Sequence, residues 1–254
     1  MKFFNSINNT DNFAEVFKNT KVLHVKKPNL PESDLESFYK GLAQTAGFPI
    51  IYEEDPVTGE IRPNHWTKIE YIKGHEESSY KHSNHAQPLH TDYGYFSFEI
   101  YCAFFYCVEQ AEFGGATTFF DVDLLVQILN EINPDLFDKL LKTKIHFGRY
   151  ENSIAQNSDY ILQKDSLGWK INWNYYRALE DKNHRDLVLE FKDFLDTNIE
   201  RSGELLPLKL QKGEAVFFQD RRILHGRNSF IGNRQLNKGA IAKEIPKEIQ
   251  NMLV

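Results

Sequence analysis

Cysteine is nearly absent: Cys102 and Cys107 are the only two in 254 residues. They stand five apart in an apolar segment, so on a strand they face opposite sides and form neither a disulfide nor a metal clip. A disulfide-stapled secreted scaffold is thereby excluded, and a reducing, cytoplasmic setting is the expectation. No apolar run approaches the roughly 20 residues that a membrane helix needs. The opening MKFFNSINNT also lacks the apolar centre of a secretory leader, so no membrane association is expected. Long basic runs are missing and the formal net charge is −6, which argues against a nucleic-acid partner. Internal repeats, low-complexity tracts and linkers are absent as well.

Aromatic residues, by contrast, are plentiful. With 20 Phe and 12 Tyr they favour a β-rich interior over a helical bundle. Residues 11–17 then 21–25 read as a short helix and a strand, and 32–46 as a helix ended by Gly47. Phe48–Tyr52 and Glu60–Arg62 flank a hairpin-like EEDPVTG turn, and Thr67–Ile72 alternates as a strand. Glu99–Val108, EIYCAFFYCV, is apolar on both faces and reads as a buried strand. FGGATTFF makes a Gly-Gly turn into another. Helices are predicted over 121–132, capped by Asp121 or Asp123, and over 134–141 with Pro134 in the first turn. Strands follow at 143–150, 160–163 and 169–175, then an amphipathic helix over 181–199. Short strands return at 205–210, 214–218, 223–225 and 235–242. The expected fold is mainly β with helical insertions, a double-stranded β-helix or jelly roll, as one domain over 1–254. Its core spans about 67–242, with a helical insertion at about 121–142 and the amphipathic helix at about 181–199.

Chemistry concentrates first in Gln87–Tyr95, QPLHTDYGY. In an extended segment, residues i and i+2 point the same way, so His90 and Asp92 can reach one ion. Nine His and fifteen Asp make such a pair by chance roughly once in two sequences of this length. His184 and Asp186 form a second pair, and it serves as a control. On a helix those positions lie about 200° apart and cannot chelate together. A third ligand is available at His225 in RRILHGRNSF, at a strand end before Gly226. Two His and a carboxylate suit the facial triad of non-haem iron oxygenases, and zinc accepts the same set. Thr117 and Arg234 are the partners a dicarboxylate cosubstrate needs, a hydroxyl and a bidentate guanidinium. The polar stretch Lys73–Pro88, with His75, His82 and His85, reads as a loop beside the site and a lid, its histidines exposed rather than ligating. Tyr93 and Tyr95 either flank the pocket entrance or simply pack.

HTD, GGAT, LHGRNSF and NRQLNK, in that order over roughly Leu89–Ala242, resemble the taurine dioxygenase and clavaminate-synthase-like family of Fe(II)- and 2-oxoglutarate-dependent oxygenases. The resemblance implies that His90, Asp92 and His225 ligate Fe(II), and that Thr117 and Arg234 hold the far carboxylate of 2-oxoglutarate. Arg227 would lie near its keto-acid end. It further implies C–H oxidation, most often hydroxylation, of a small molecule such as an amino acid or a derivative, with O2 consumed and succinate and CO2 released. Relatives often carry a second Arg four residues after the cosubstrate Arg, and here Lys238 stands there, either as an anchor for an anionic substrate or as a solvated charge. Tyr93 is the other candidate substrate contact. Asp92 excludes the halogenases of the family, in which a small residue replaces the carboxylate. Two other classes compete: a catalytically inactive jelly roll that binds a ligand or metal, and a zinc hydrolase on another fold, which would need a general base and no cosubstrate arginine.

Overall fold

Two unequal sheets carry the strands that frame the site. The computed structural model describes residues 1–54, 61–74, 80–96, 98–148, 156–178 and 181–244. In chain order these strands are β1 (Lys2–Ile7), β2 (Thr20–Val25), β3 (Phe48–Ile50), β4 (Thr67–Glu70), β5 (Gln87–His90), β6 (Ile100–Glu109), β7 (Thr117–Asp121), β8 (Leu206–Leu208), β9 (Ala215–Phe218), β10 (Ile223–Arg227) and β11 (Gln235–Ala242). The larger sheet has seven strands in the order β1-β2-β9-β6-β11-β3, with β4 also paired to β11. The smaller has four, β8-β7-β10-β5. All pairings are antiparallel except β1 with β2.

The continuous apolar run of β6 has a simple cause: the strand is covered on both faces. Cys102, Phe104 and Tyr106 face an outer cluster with Phe13 and Phe17 of α1 (Phe13–Lys18) and Tyr39 and Leu42 of α2 (Leu35–Gln44). Ala103, Phe105 and Cys107 face inward with Phe119, Phe218 and Leu224. The thiols are thus free, buried and on opposite faces, as their odd spacing requires. Phe119 of β7 meets Phe218 of β9 at 5.4 Å between ring centroids, so the two sheets close on a shared aromatic core.

The two predicted insert helices form at α3 (Val122–Ile132), capped by the Asp121 side chain accepting from the Asp123 amide, and α4 (Pro134–Lys142). The amphipathic helix begins later than its pattern suggests, at α5 (Arg185–Phe194), and finishes as one wide turn over Leu195–Ile199. Asp181 explains the late start. Its carboxylate accepts from the amides of His146, Asn183 and His184, which fixes a turn where a helix was expected. His184 pairs with Asp181 at 2.9 Å and forms no pair with Asp186, as the control required. The expected strand at 169–175 stops at Ile171, and Tyr175–Ala178 is a helical turn. The strand at 143–150 is seen as Lys144–Gly148, residues 149 and 150 lying outside the described residues. Tyr52–Glu54 pairs with Ile61–Pro63, while residues 55–60, where the sequence predicts the turn, lie outside the described residues, as do 75–79 with His75. β1 was not foreseen, and it extends the larger sheet well upstream of residue 67. Among the described residues no helix is long and apolar enough to cross a membrane.

Candidate metal centre and cosubstrate pocket

The two histidines meet because β5 and β10 are neighbours and His90 is the register partner of His225. Their rings lie 4.2 Å apart, centroid to centroid. A register shift between His225 and Arg227 puts three steps of β5 against two of β10, and Pro88, which has no N–H to give a ladder, sits in that irregularity. Gly226 permits the close packing there, since a Cβ would come within 2.7 Å of the Gln87 carbonyl oxygen.

Asp92 lies just past the end of β5, where no ladder holds it. Its backbone is held from beneath by Asp220, which is fully buried. Asp220 Oδ1 accepts from the Asp92 amide at 2.9 Å and Oδ2 from the Tyr93 amide at 3.2 Å. The side chain of Asp92 then presents Oδ1 at 3.7 Å from His90 Nε2 and Oδ2 at 3.6 Å from His225 Nε2. Ligand atoms of the three residues all lie within 4.8 Å of one another, the one such group among the described residues.

Protonation suits a cation. The His90 Nδ1–H donates to the Pro88 carbonyl at 2.9 Å, which leaves Nε2 with its lone pair toward the gap. Burial first, and then the neighbouring His90, hold His225 well below the usual imidazole range, hence neutral. Burial alone would raise Asp92, but the Lys238 ammonium at its Oδ1 outweighs burial and keeps the carboxylate well below its ordinary range. Asp92 Oδ2 and His225 Nδ1 are buried without a hydrogen-bond partner. A buried, ionised oxygen left unpaired between two imidazoles is costly unless a cation completes it. The donor set therefore fits a divalent metal.

The same residues line a cavity of about 500 Å³ that also reaches Thr117, Arg227, Arg234, Lys238 and Tyr93. Thr117 enters it from the start of β7, paired across to Arg227. Arg234 is 6% exposed, and its Nε donates to the Gly115 carbonyl at 3.1 Å. Among the described residues its terminal nitrogens have no hydrogen-bonded protein partner. Burial, and then Arg227, lower this guanidinium to about 9, the signature of a cation awaiting an anion. Arg227 is differently engaged. Its terminal nitrogens donate to the carbonyls of Tyr80 (3.3 Å), Ser83 (2.8 Å) and His85 (2.7 Å), so it ties the loop before β5 to the pocket wall. Tyr93 and Tyr95 are buried cavity-lining residues rather than rim residues. His85 reaches the cavity, while His82 Nδ1 contacts the Glu70 carbonyl at 3.3 Å.

Lys238 is not a solvated charge. Its side chain is 15% exposed, and Nζ lies 2.7 Å from Asp92 Oδ1 and 4.6 Å above the Tyr93 ring. Reading the sequence missed Asp220, Gln87, whose Nε2 sits 3.2 Å from His90 Nε2, and a far wall of Asn174, Tyr175, Tyr176 and Arg177. Asp220 did leave one signal, an acid two residues after the apolar run AVFF.

A family model described as "Taurine catabolism dioxygenase TauD, TfdA family" matches residues 4–240. The chain belongs to this family of Fe(II)- and 2-oxoglutarate-dependent oxygenases. The mitochondrial trimethyllysine dioxygenase of Rattus norvegicus is 28% identical over 160 residues, covering 58% of this chain and 38% of that one. The gamma-butyrobetaine dioxygenase of Homo sapiens is 23% identical over 161 residues, covering 59% and 41%. The matched stretch is thus under half the length of either relative. Among solved structures, the non-heme iron oxygenase OrfP in complex with Fe and alpha-ketoglutaric acid superposes with a TM-score of 0.66 at 13% identity, over 92% of this chain and 79% of that one. An asparagine oxygenase in complex with Fe(II), 3-hydroxyasparagine and succinate gives 0.69 at 11%, over 92% and 78%. These likenesses extend the family assignment to a shared mainly-β fold with helices.

Proposed function

We propose that this TauD-family chain is a single-domain Fe(II)- and 2-oxoglutarate-dependent dioxygenase built on a double-stranded β-helix. It would hydroxylate an unactivated C–H of a small anionic or zwitterionic amino-acid derivative, with release of succinate and CO2. His90, Asp92 and His225 would hold the iron. Bound there with 2-oxoglutarate, Fe(II) supplies the O2 activation that an inert C–H bond requires. One observation carries the reading: Asp92, whose Oδ2 is buried and unpaired between two imidazoles, lines the same cavity as Arg234 with its unspent donors.

The protein's own contribution is positional. Arg234 would grip the far carboxylate of 2-oxoglutarate through two parallel N–H bonds, with the Thr117 hydroxyl adding a third. Arg227 would add positive field near the keto-acid end while holding the Tyr80–His85 loop over the pocket. Tyr93 and Lys238 would form the floor on which substrate lies. Five cations line the cavity, Lys81, Arg177, Arg227, Arg234 and Lys238, against Asp92 as the sole carboxylate among the described lining residues. Of these, Arg234 has unspent donors for a dianionic cosubstrate, and the positive lining suits an anionic group on the substrate. The relatives and neighbours named above, which act on or bind amino acids and related molecules by their descriptions, point toward the same class. The two buried free thiols support a cytoplasmic setting.

Anaerobic addition of Fe(II) and then 2-oxoglutarate tests the proposal. A visible metal-to-ligand charge-transfer band is expected in the wild type and lost in Asp92→Ala. An inactive jelly roll that still binds iron and 2-oxoglutarate gives the band but releases no succinate when O2 is admitted, and a zinc hydrolase gives no band. Succinate release across a panel of amino acids and sulfonates would then identify the substrate.

A further inference from the structure

We infer that Lys238 is a positioning residue that restricts Asp92 to a single metal-binding oxygen. The inference rests on the metal-site reading of His90, Asp92 and His225 and goes beyond it. β11 alternates, and Leu236 and Ala240 on either side of Lys238 belong to the inner core. Lys238 therefore projects from the core face of a strand anchored on both flanks, opposite Phe105 of β6 and Thr67 of β4. An ammonium in that row needs a fixed partner, because burying an unpaired charge is expensive. Its partner is Asp92 Oδ1, at 2.7 Å.

The two carboxylate oxygens are otherwise equivalent. Oδ1 stands 3.7 Å from His90 Nε2 and Oδ2 stands 3.6 Å from His225 Nε2, so the carboxylate faces the gap broadside. A carboxylate so presented can chelate through both oxygens when neither is held. Lys238 takes Oδ1, and Oδ2 is the atom left without a partner. A one-oxygen carboxylate with two imidazoles leaves the remaining positions of a six-coordinate ion open for cosubstrate and O2, whereas a two-oxygen carboxylate would fill one of them. Partners outside the ligands orient ligands in this manner at many metal sites.

The test uses Co(II) as the probe, without cosubstrate, on the full chain. Lys238→Met is expected to bind Co(II) at least as tightly as the wild type, since a second oxygen is released and a positive charge is removed. Its d–d absorption should shift and lose molar intensity, the direction expected when Co(II) gains a ligand. Lys238→Arg, which keeps a donor for Oδ1, should restore the wild-type spectrum, and agreement of the two variants in thermal melting separates this effect from damaged folding. Superimposable spectra for wild type and Lys238→Met would overturn the inference while leaving the metal site standing. A wild type without a Co(II) spectrum, or one unchanged in Asp92→Ala, would overturn the metal-site reading and this inference with it.

Discussion

Asp220 is the least conspicuous residue on which the site depends, and its replacement has a calculable effect. A carboxylate is an acceptor only, and here its two oxygens meet two backbone donors, the amides of Asp92 and Tyr93. Its own amide donates to the Tyr101 carbonyl at 3.1 Å, which fixes the chain that carries it. In Asp220→Asn one oxygen survives, and the new NH2 group faces an amide N–H. One charge-assisted bond is lost and a buried donor is left bare, together worth about 2–4 kcal/mol. Working the other way, burial and then Asp92 raise the Asp220 carboxyl to about 6, so neutralising it relieves repulsion against Asp92. The net cost therefore falls at the lower end, about 2 kcal/mol, which for a chain of this size lowers the melting midpoint by about 4–8 °C. Asp220→Ala bares both amides and should cost more, about 3–5 kcal/mol. Loosening the turn also moves Asp92, so Co(II) affinity measured by calorimetry should fall about 10–100-fold in both variants. An Asp220→Asn protein that melts within about 1 °C of the wild type and binds Co(II) equally well would refute the claim that this carboxylate holds the turn.

Two other perturbations test the frame around the site. Gly226→Ala places a methyl 2.7 Å from the Gln87 carbonyl oxygen and 3.1 Å from Thr118 Oγ1, so β5 must move away from β10. We expect a loss of about 1–3 kcal/mol in chemical denaturation, and an unchanged midpoint would show that the strands yield freely. Lys21 has a side chain only 2% exposed, and it binds both Asp121 and, at 2.6 Å, Asp123 at the start of α3. Lys21→Met should cost about 3 kcal/mol by thermal or urea unfolding, tempered because Asp123 still reaches solvent. Burial would raise the Asp123 carboxyl, but the Lys21 and Trp169 hydrogen bonds outweigh it and lower it below its ordinary value. Its contribution is thus present above about pH 4 and lost as pH falls through the lower folded value. Lys21→Met should accordingly lose less stability than the wild type on acidification below pH 4, and parallel pH profiles would refute the assignment.

What could be read from the sequence is what local pattern or pairwise chemistry encodes. The apolar run of β6, the Asp121 cap and the three metal-facing residues were legible because each leaves a mark within a few positions, or forms a recognisable set with distant motifs. β1 was not. KFFNSI is short and half-polar, and it becomes a strand by lying parallel to β2 at the sheet edge, a fact only its neighbour supplies. Asp181 shortened α5 through an amide 35 residues upstream, which no helical periodicity reports. Asp220 was hidden for the same reason, since it acts on an amide 128 residues away. Lys238 stood out in the sequence as a substrate anchor or a solvated charge, but its contact with Asp92 follows only from the face it projects from.

The contrast between the histidines and the aspartate explains where this site is vulnerable. His90 and His225 are register partners on adjacent strands, so their separation is set directly by the strand pairing. Asp92 sits beyond that ladder and depends on two single residues from two other segments: Asp220 beneath its amide and Lys238 beside its carboxylate. Replacing either histidine removes a ligand and leaves the frame intact. Replacing Asp220 or Lys238 leaves all three ligands in place and alters how one of them is aimed. If coordination geometry, more than ligand identity, limits turnover here, those two variants, once saturated with metal, should lose coupling between 2-oxoglutarate consumption and substrate oxidation, and the ratio of succinate to oxidised product is the quantity that decides it.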